Sequence, residues 1–203
     1  MQRLLTLTET SPVQTFTELL TQTEVEEHLS LPTLAPVDAN RDSLLEDYIM
    51  AAREQAEILQ NRDLVQKQWD LHLDAFPAHE IPLRPDLDTV DLVRYTDSGG
   101  DTTDLVEDTD YIVDTHKQPG LIMPAYGTVW PTFTPWPSSA VLVRFTDGLS
   151  SSQVPAIVKG GMLRLISAWY YGRLPFEMGA SAAQEYPYAV TWALRYKAVR
   201  YAV

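Results

Sequence analysis

The chain has 203 residues, no cysteine and a formal net charge of −13. Zero cysteine excludes a disulfide framework, a thiolate zinc site, an iron–sulfur cluster and a Cys nucleophile, and the acidity argues against wrapping nucleic-acid phosphates. The composition, 45% hydrophobic and 10% aromatic, is that of a globular chain rather than a disordered one.

No stretch approaches the ~18 apolar residues of a membrane span. The opening MQRLLTLTETSP lacks the apolar run of a signal peptide. No membrane partner is therefore expected. The charge is uneven: residues 1–114 carry 25 of the 28 acids and 7 of the 15 bases, while residues 115–203 are net basic. Such asymmetry fits either a plain solvated face or an end that docks on a partner.

The first predicted helix is short. Thr21 and Glu24 have capping-box spacing, with Leu20 and Val25 placed for a hydrophobic staple, and the helix stops before Pro32. The second opens near Asp38–Asp42 and ends at Asn61. Leu44, Leu45, Tyr48, Ile49, Ala52, Ala56 and Leu59 fall on one stripe at helical period. The period then changes from 3.6 to 2. Val65, Trp69, Leu71 and Leu73 alternate with polar residues, which predicts a half-buried strand. Further strands are predicted around Ile81–Leu83, Val90–Tyr95, Tyr111–Val113, Leu121–Met123 and Ala140–Phe145, with a hairpin signal at Asp97-Ser98-Gly99-Gly100. No helix-length crossover separates them, so antiparallel pairing is expected.

Residues 119–137 hold five of the fourteen prolines together with Trp130, Phe133 and Trp136, which predicts an ordered, projecting loop. The third helix starts near Val154-Pro155 and ends near Gly172. Gly160-Gly161 inside it is explained most simply by close packing against a neighbouring helix. A fourth helix is predicted from Pro187. The resulting expectation is an α+β chain: a four-helix bundle, residues 20–63 and 148–191, with an antiparallel β domain, residues 64–147, inserted between helices two and three. Residues 1–19 form an N-terminal arm, and residues 192–203 a basic, aromatic C-terminal tail.

Motifs for chemistry are absent. There is no GxxxxGK[ST] loop, no GxGxxG, no HExxH and no GxSxG. His28, His72, His79 and His116 lack ligand spacing. The acidic run Asp101, Asp104, Glu107, Asp108, Asp110 and Asp114 is the best candidate for a metal site, since calcium takes carboxylate oxygens. Its spacing is not that of an EF-hand loop, and a solvated acidic loop is the simpler reading. Trp130 and Trp136 either cap the core of the β domain or anchor an interface. Trp192, Arg195, Tyr196, Lys197, Arg200 and Tyr201 either end a packed helix or form a docking peptide.

The order of these segments resembles the head–tail connector (adaptor) proteins of long-tailed bacteriophages and gene transfer agents, over roughly residues 20–200. The resemblance is carried by TQTEVEEHLSL, AAREQAEILQNRDLVQKQW, DTDYIVD, PGLIMPAYGTVWP and VPAIVKGGMLRLISAWYYGR, the last with a Trp-Tyr-x-x-Arg pattern at Trp169, Tyr170 and Arg173. The chain departs from the family in residues 1–19 and 174–186. The resemblance implies a non-enzymatic structural virion protein, without catalytic residues, metal or cofactor. It implies a homo-oligomeric ring, typically of twelve copies, beneath the portal protein at the head–tail junction, assembled in the host bacterial cytoplasm. Double-stranded DNA would pass through the channel without specific binding, and a stopper or tail-completion protein would dock below.

The resemblance and the charge pattern set two expectations about residues. Asp101, Asp104, Glu107, Asp108 and Asp110 would line the DNA channel and repel phosphates. Trp130, Trp136 and the tail residues Trp192, Arg195, Tyr196, Lys197, Arg200 and Tyr201 would contact the portal or an adjacent subunit. One alternative is a stopper or head-completion protein of the same junction, a class expected to be mostly β. Another is a metal- or carbohydrate-binding domain or hydrolase using the acidic loop 101–114.

Overall fold

The structure is a computed structural model that describes residues 6–9, 17–32, 39–172 and 193–195. The chain divides into two units. One takes its described residues from 6–9 and 66–148, the other from 17–65 and 149–195.

The first unit is all β: β1 (Thr6–Glu9), β2 (Lys67–Leu73), β3 (Ile81–Pro82), β4 (Leu87–Thr96), β5 (Thr102–Leu105), β6 (Tyr111–Asp114), β7 (Leu121–Pro124) and β8 (Val141–Asp147). They form a five-stranded sheet, β1-β2-β8-β4-β5, and a three-stranded sheet, β3-β7-β6. Every ladder between strands is antiparallel. The central strand is β8, whose odd residues Val141, Val143 and Phe145 are fully buried. It pairs with β2 from Lys67↔Asp147 to Leu73↔Val141, and with β4 through two register shifts. One apolar core takes Leu71, Leu73 and Val93 from the large sheet, Ile81, Tyr111 and Ile122 from the small one, and Phe76 and Trp130 from loops.

Side chains alternate across a strand, so the residues between these core positions make the opposite face of the large sheet. That face is polar and cross-linked. Arg144 donates to both oxygens of Asp70 at 2.8 Å, directly across the β2–β8 ladder. Arg94 makes the same two-pronged contact with Asp104 across β4–β5. Asp91 accepts from Gln68 at 2.9 Å and from Thr146 at 3.1 Å, tying β2, β4 and β8 together.

The second unit holds the helices α1 (Gln22–His28), α2 (Ala39–Gln60) and α3 (Ala156–Gly172). Thr21 caps α1 through a full capping box, its hydroxyl accepting from the Glu24 N–H at 3.2 Å while Glu24 accepts from the Thr21 N–H at 2.7 Å. Asn61 ends α2 in the left-handed region at φ 55°. Leu45, Ile49, Ala52 and Ala56 of α2 are buried, as are Val158, Met162, Leu165 and Ile166 of α3. Tyr48 and Trp169 bring their ring centroids to 6.0 Å. Arg53, only 3% exposed, is held between Glu18 at 3.1 Å and Glu57 at 3.0 Å, and Glu57 also accepts from the Leu64 N–H. Such pairing is what a buried guanidinium requires.

The expected four-helix bundle with an inserted β domain is overturned. The fold is α+β, but the described residues contain three helices and two antiparallel sheets. The first helix is two turns long with Val25 as its buried residue, too short to make a bundle wall. The fourth helix was expected from Pro187, and residues 187–192 lie outside the described ones. Beyond them, Ala193 and Leu194 are helical and Arg195 is a turn. Nor is the β unit a plain insertion between helices two and three, because β1 precedes α1 in sequence and pairs with β2 from Thr6↔His72 to Glu9↔Trp69.

Candidate interaction surfaces

The acidic segment forms a hairpin tip and a second tight turn. In the tip, Asp97 accepts through Oδ1 from the N–H groups of Gly99 at 2.8 Å and Asp101 at 3.0 Å. The second turn is closed by Asp110, whose Oδ2 accepts from the Val106 N–H at 2.8 Å, while Asp108 takes φ 65°. Asp101, Asp104, Glu107 and Asp108 are exposed, and Asp110 is half-buried. Arg94 holds the Asp104 carboxyl below the ordinary aspartate range, chiefly by hydrogen bonding. Burial raises the Tyr111 hydroxyl, and the charges of Glu107, Asp108, Asp110 and Asp91 raise it further. Among the described residues, no three His, Cys, Asp or Glu side chains converge as metal ligands. Asp97, Asp104 and Asp110 act instead as caps and ion-pair partners.

The proline-rich loop separates its two tryptophans. Trp130 is 7% exposed; its ring stacks on Phe76 at 4.7 Å and its indole N–H donates to the His79 carbonyl at 2.7 Å. Trp136 is 45% exposed and packs against Gly100 of the hairpin tip. Sequence reasoning passed over Tyr126, which is fully exposed. It sits second in a turn closed by the Thr128 N–H to the Ala125 carbonyl at 3.0 Å, with Gly127 at φ 80° in third place. That is the geometry of a type II turn. The Ala125 N–H donates to the Asp110 carbonyl, so this turn stands beside the acidic one. Val106 and Val129 are also exposed there. The available signal was the Ala-Tyr-Gly-Thr turn closely bracketed by Pro124 and Pro131.

The helical unit carries an open cleft of about 400 Å3. Leu20, Ile49 and Met50 line it with apolar surface, and Glu18, Glu46 and Asp47 with carboxylates. Met50 is 44% exposed. Glu18 is engaged by Arg53. Glu46 and Asp47 are exposed, and no ion pair or side-chain hydrogen bond holds them among the described residues. Elsewhere in this unit, Ala193 and Leu194 are buried against Gly161 of α3. Arg195, next in the chain, is exposed. Trp192, Tyr196, Lys197, Arg200 and Tyr201 lie outside the described residues. No helix among the described residues is long and apolar enough to cross a membrane.

No family model matches the sequence, and no curated protein matches it. Solved structures do match the fold. A chain from the neck of an empty GTA particle, computed with C6 symmetry, aligns with a TM-score of 0.70 at 24% identity over 97% of this chain and 97% of that chain. A chain from the virion of a native gene transfer agent (GTA) particle gives 0.65 at 23% identity, with the same coverage of both chains. A chain from the neck of the native particle, computed with C12 symmetry, gives 0.64 at 23%, again over 97% of each. The likeness to gene transfer agent proteins read from the sequence thus extends to the fold of GTA neck chains, along nearly the whole chain.

Proposed function

We propose that this chain is a structural virion protein of the head–tail junction, and within it an adaptor. Its copies form a ring beneath the portal protein, extend the DNA channel and receive a stopper or tail-completion protein. The observation that carries the reading is the alignment with GTA neck chains end to end, 97% of either chain, at a TM-score up to 0.70. The neck structures were computed with C6 and C12 symmetry, which supports a ring of like copies here. The helices α2, 22 residues, and α3, 17 residues, favour the adaptor over a mostly β stopper.

Physical features support the same role. A closed ring needs two different surfaces on each copy, and this chain offers an acidic, aromatic-tipped β unit and a helical unit with an acid-rimmed cleft. Exposed Asp101, Glu107 and Asp108 suit a channel wall that must not hold DNA, since like charge repels phosphate. Asp104 contributes less, because Arg94 offsets its charge. Tyr126 and Trp136 are exposed aromatics of the kind that anchor interfaces. The role requires no catalysis, and assembly would occur in the cytoplasm of the host bacterium.

The test is electron microscopy of particles made after deleting the gene, with the intact gene restored as a control. Tailless heads that lose DNA, recovered on restoration, are expected. Complete tailed particles would refute the reading.

A further inference from the structure

We infer that the acid-rimmed cleft of the helical unit receives the C-terminal segment, residues 196–203, of a neighbouring copy of this chain. The inference rests on the ring reading above and names one of its subunit contacts.

The cleft has the chemistry of a receptor for a basic, aromatic peptide. Its apolar surface is incompletely covered, with Met50 44% exposed beside Leu20 and Ile49. Glu46 and Asp47 stand at the same cleft without an ion-pair partner among the described residues. An occupant must therefore bring apolar groups for the floor and cations for the rim. A purely apolar partner would strand both carboxylates in a drier environment, at a cost.

The chain itself contains such a segment. Residues 196–203 read Tyr-Lys-Ala-Val-Arg-Tyr-Ala-Val, with two cations and no acid. Lys197 and Arg200 supply the charge; Tyr196, Val199 and Tyr201 supply apolar surface. This short segment is basic in a chain whose net charge is −13, and its charge is opposite to that of Glu46 and Asp47 at the cleft. Its root is fixed: Leu194, 1% exposed, is buried against Gly161, and Arg195 beyond it faces solvent. From that root an extended segment advances up to ~3.5 Å per residue. Donation between copies suits a closed ring, in which every copy presents one donor and one acceptor surface. A segment seated in the cleft of its own chain would use up both.

The absence of cysteine gives a direct test on the full-length protein. Asp47→Cys and Lys197→Cys are combined in one chain, particles carrying it are purified and oxidised, and the products are separated without reductant. The expected result is a ladder of covalent multimers, absent from either single variant. Oxidised monomer with both thiols consumed would mean that the segment sits on its own chain, and would overturn the inference. Free thiols in assembled particles would mean that it binds elsewhere, on the portal for example, and would also overturn it. A charge exchange guards against a folding artefact. Glu46→Lys with Asp47→Lys should abolish incorporation into particles, and adding Lys197→Glu with Arg200→Glu should restore it. Failure to restore counts against the inference. Imaging of particles with the unmodified chain comes first: a neck that lacks the chain refutes the ring reading itself, whatever the cysteines do.

Discussion

Gly160 and Gly161 are adjacent in α3, yet only replacement of the first with alanine should stabilise the protein. A Cβ at Gly160 would meet nothing within 4 Å. A Cβ at Gly161 would sit 3.0 Å from Leu194 Cδ2 and 3.1 Å from Ala193 Cβ. Alanine in a helix interior gains about 0.5–1 kcal/mol over glycine, because less backbone entropy is lost on folding. Gly160→Ala should show that gain in full. At Gly161 the gain is opposed by overpacking, typically about 1–3 kcal/mol. Leu194 is 1% exposed, so moving it aside also gives up burial. The balance for Gly161→Ala is between roughly neutral and about 2.5 kcal/mol destabilising. Urea denaturation followed by circular dichroism reads both, through the midpoint at unchanged slope. Tryptic cleavage after Arg195 gives a second readout, and should accelerate in Gly161→Ala alone. Equal stabilisation by the two substitutions would refute the packing of residues 193–194 on α3.

Three further outcomes are expected. Trp130→Ala should cost about 3–5 kcal/mol, as deletion of a buried aromatic does, whereas Trp136→Ala should cost at most about 1.5 kcal/mol because half its surface is already wet; equal losses in urea denaturation would contradict the burial difference. Hydrogen bonds from the Thr21 backbone and side chain hold Glu24 below the ordinary glutamate range. This stabilisation is present above the unfolded pKa and is lost as pH falls through the folded one. Thr21→Ala should cost about 0.5–2 kcal/mol and raise the Glu24 titration, followed by NMR, only part of the way to the ordinary range, because the backbone N–H at position 21 still donates; an unmoved titration would exclude the Thr21 hydroxyl as a cause. Glu107→Lys with Asp108→Lys should impair DNA packaging or ejection, and unaltered particles would remove these residues from the channel wall.

Local patterns in this sequence were legible where one short-range interaction decides the structure. The Thr21–Glu24 capping box, the α2 stripe ending at Asn61, the tip at Asp97–Gly100 and the alternation that buries Leu71 and Leu73 in β2 each depend on neighbours a few residues apart. What the sequence hid was long-range. Strand β1 has the four residues Thr-Leu-Thr-Glu, too few to show a period, and its partner Trp69–His72 lies some sixty positions on. Strand β5, Thr-Thr-Asp-Leu, reads as part of an acidic loop because it lies at the sheet edge, with β4 its one neighbour among the described residues. The acids of 101–114 were visible as a cluster, but not that Arg94 and backbone N–H groups engage several of them. The fate of Trp130 turned on a Phe76 more than fifty residues away.

The position of β8 also sets the order in which the protein can mature on the ribosome. It is the inner strand that joins β2 to β4, and it spans Val141–Asp147. Until those residues emerge, β1–β2 and β4–β5 are separate two-stranded ribbons, which are marginal in water. The helical unit waits too, since α3, the packing partner of α2, begins at Ala156. Both units are therefore completed late, by sequence-distant contacts, which predicts slow folding and exposed strand edges during synthesis. A nascent or truncated copy ending before Val141 has neither unit finished, so an incomplete subunit has no finished surface to contribute to a ring.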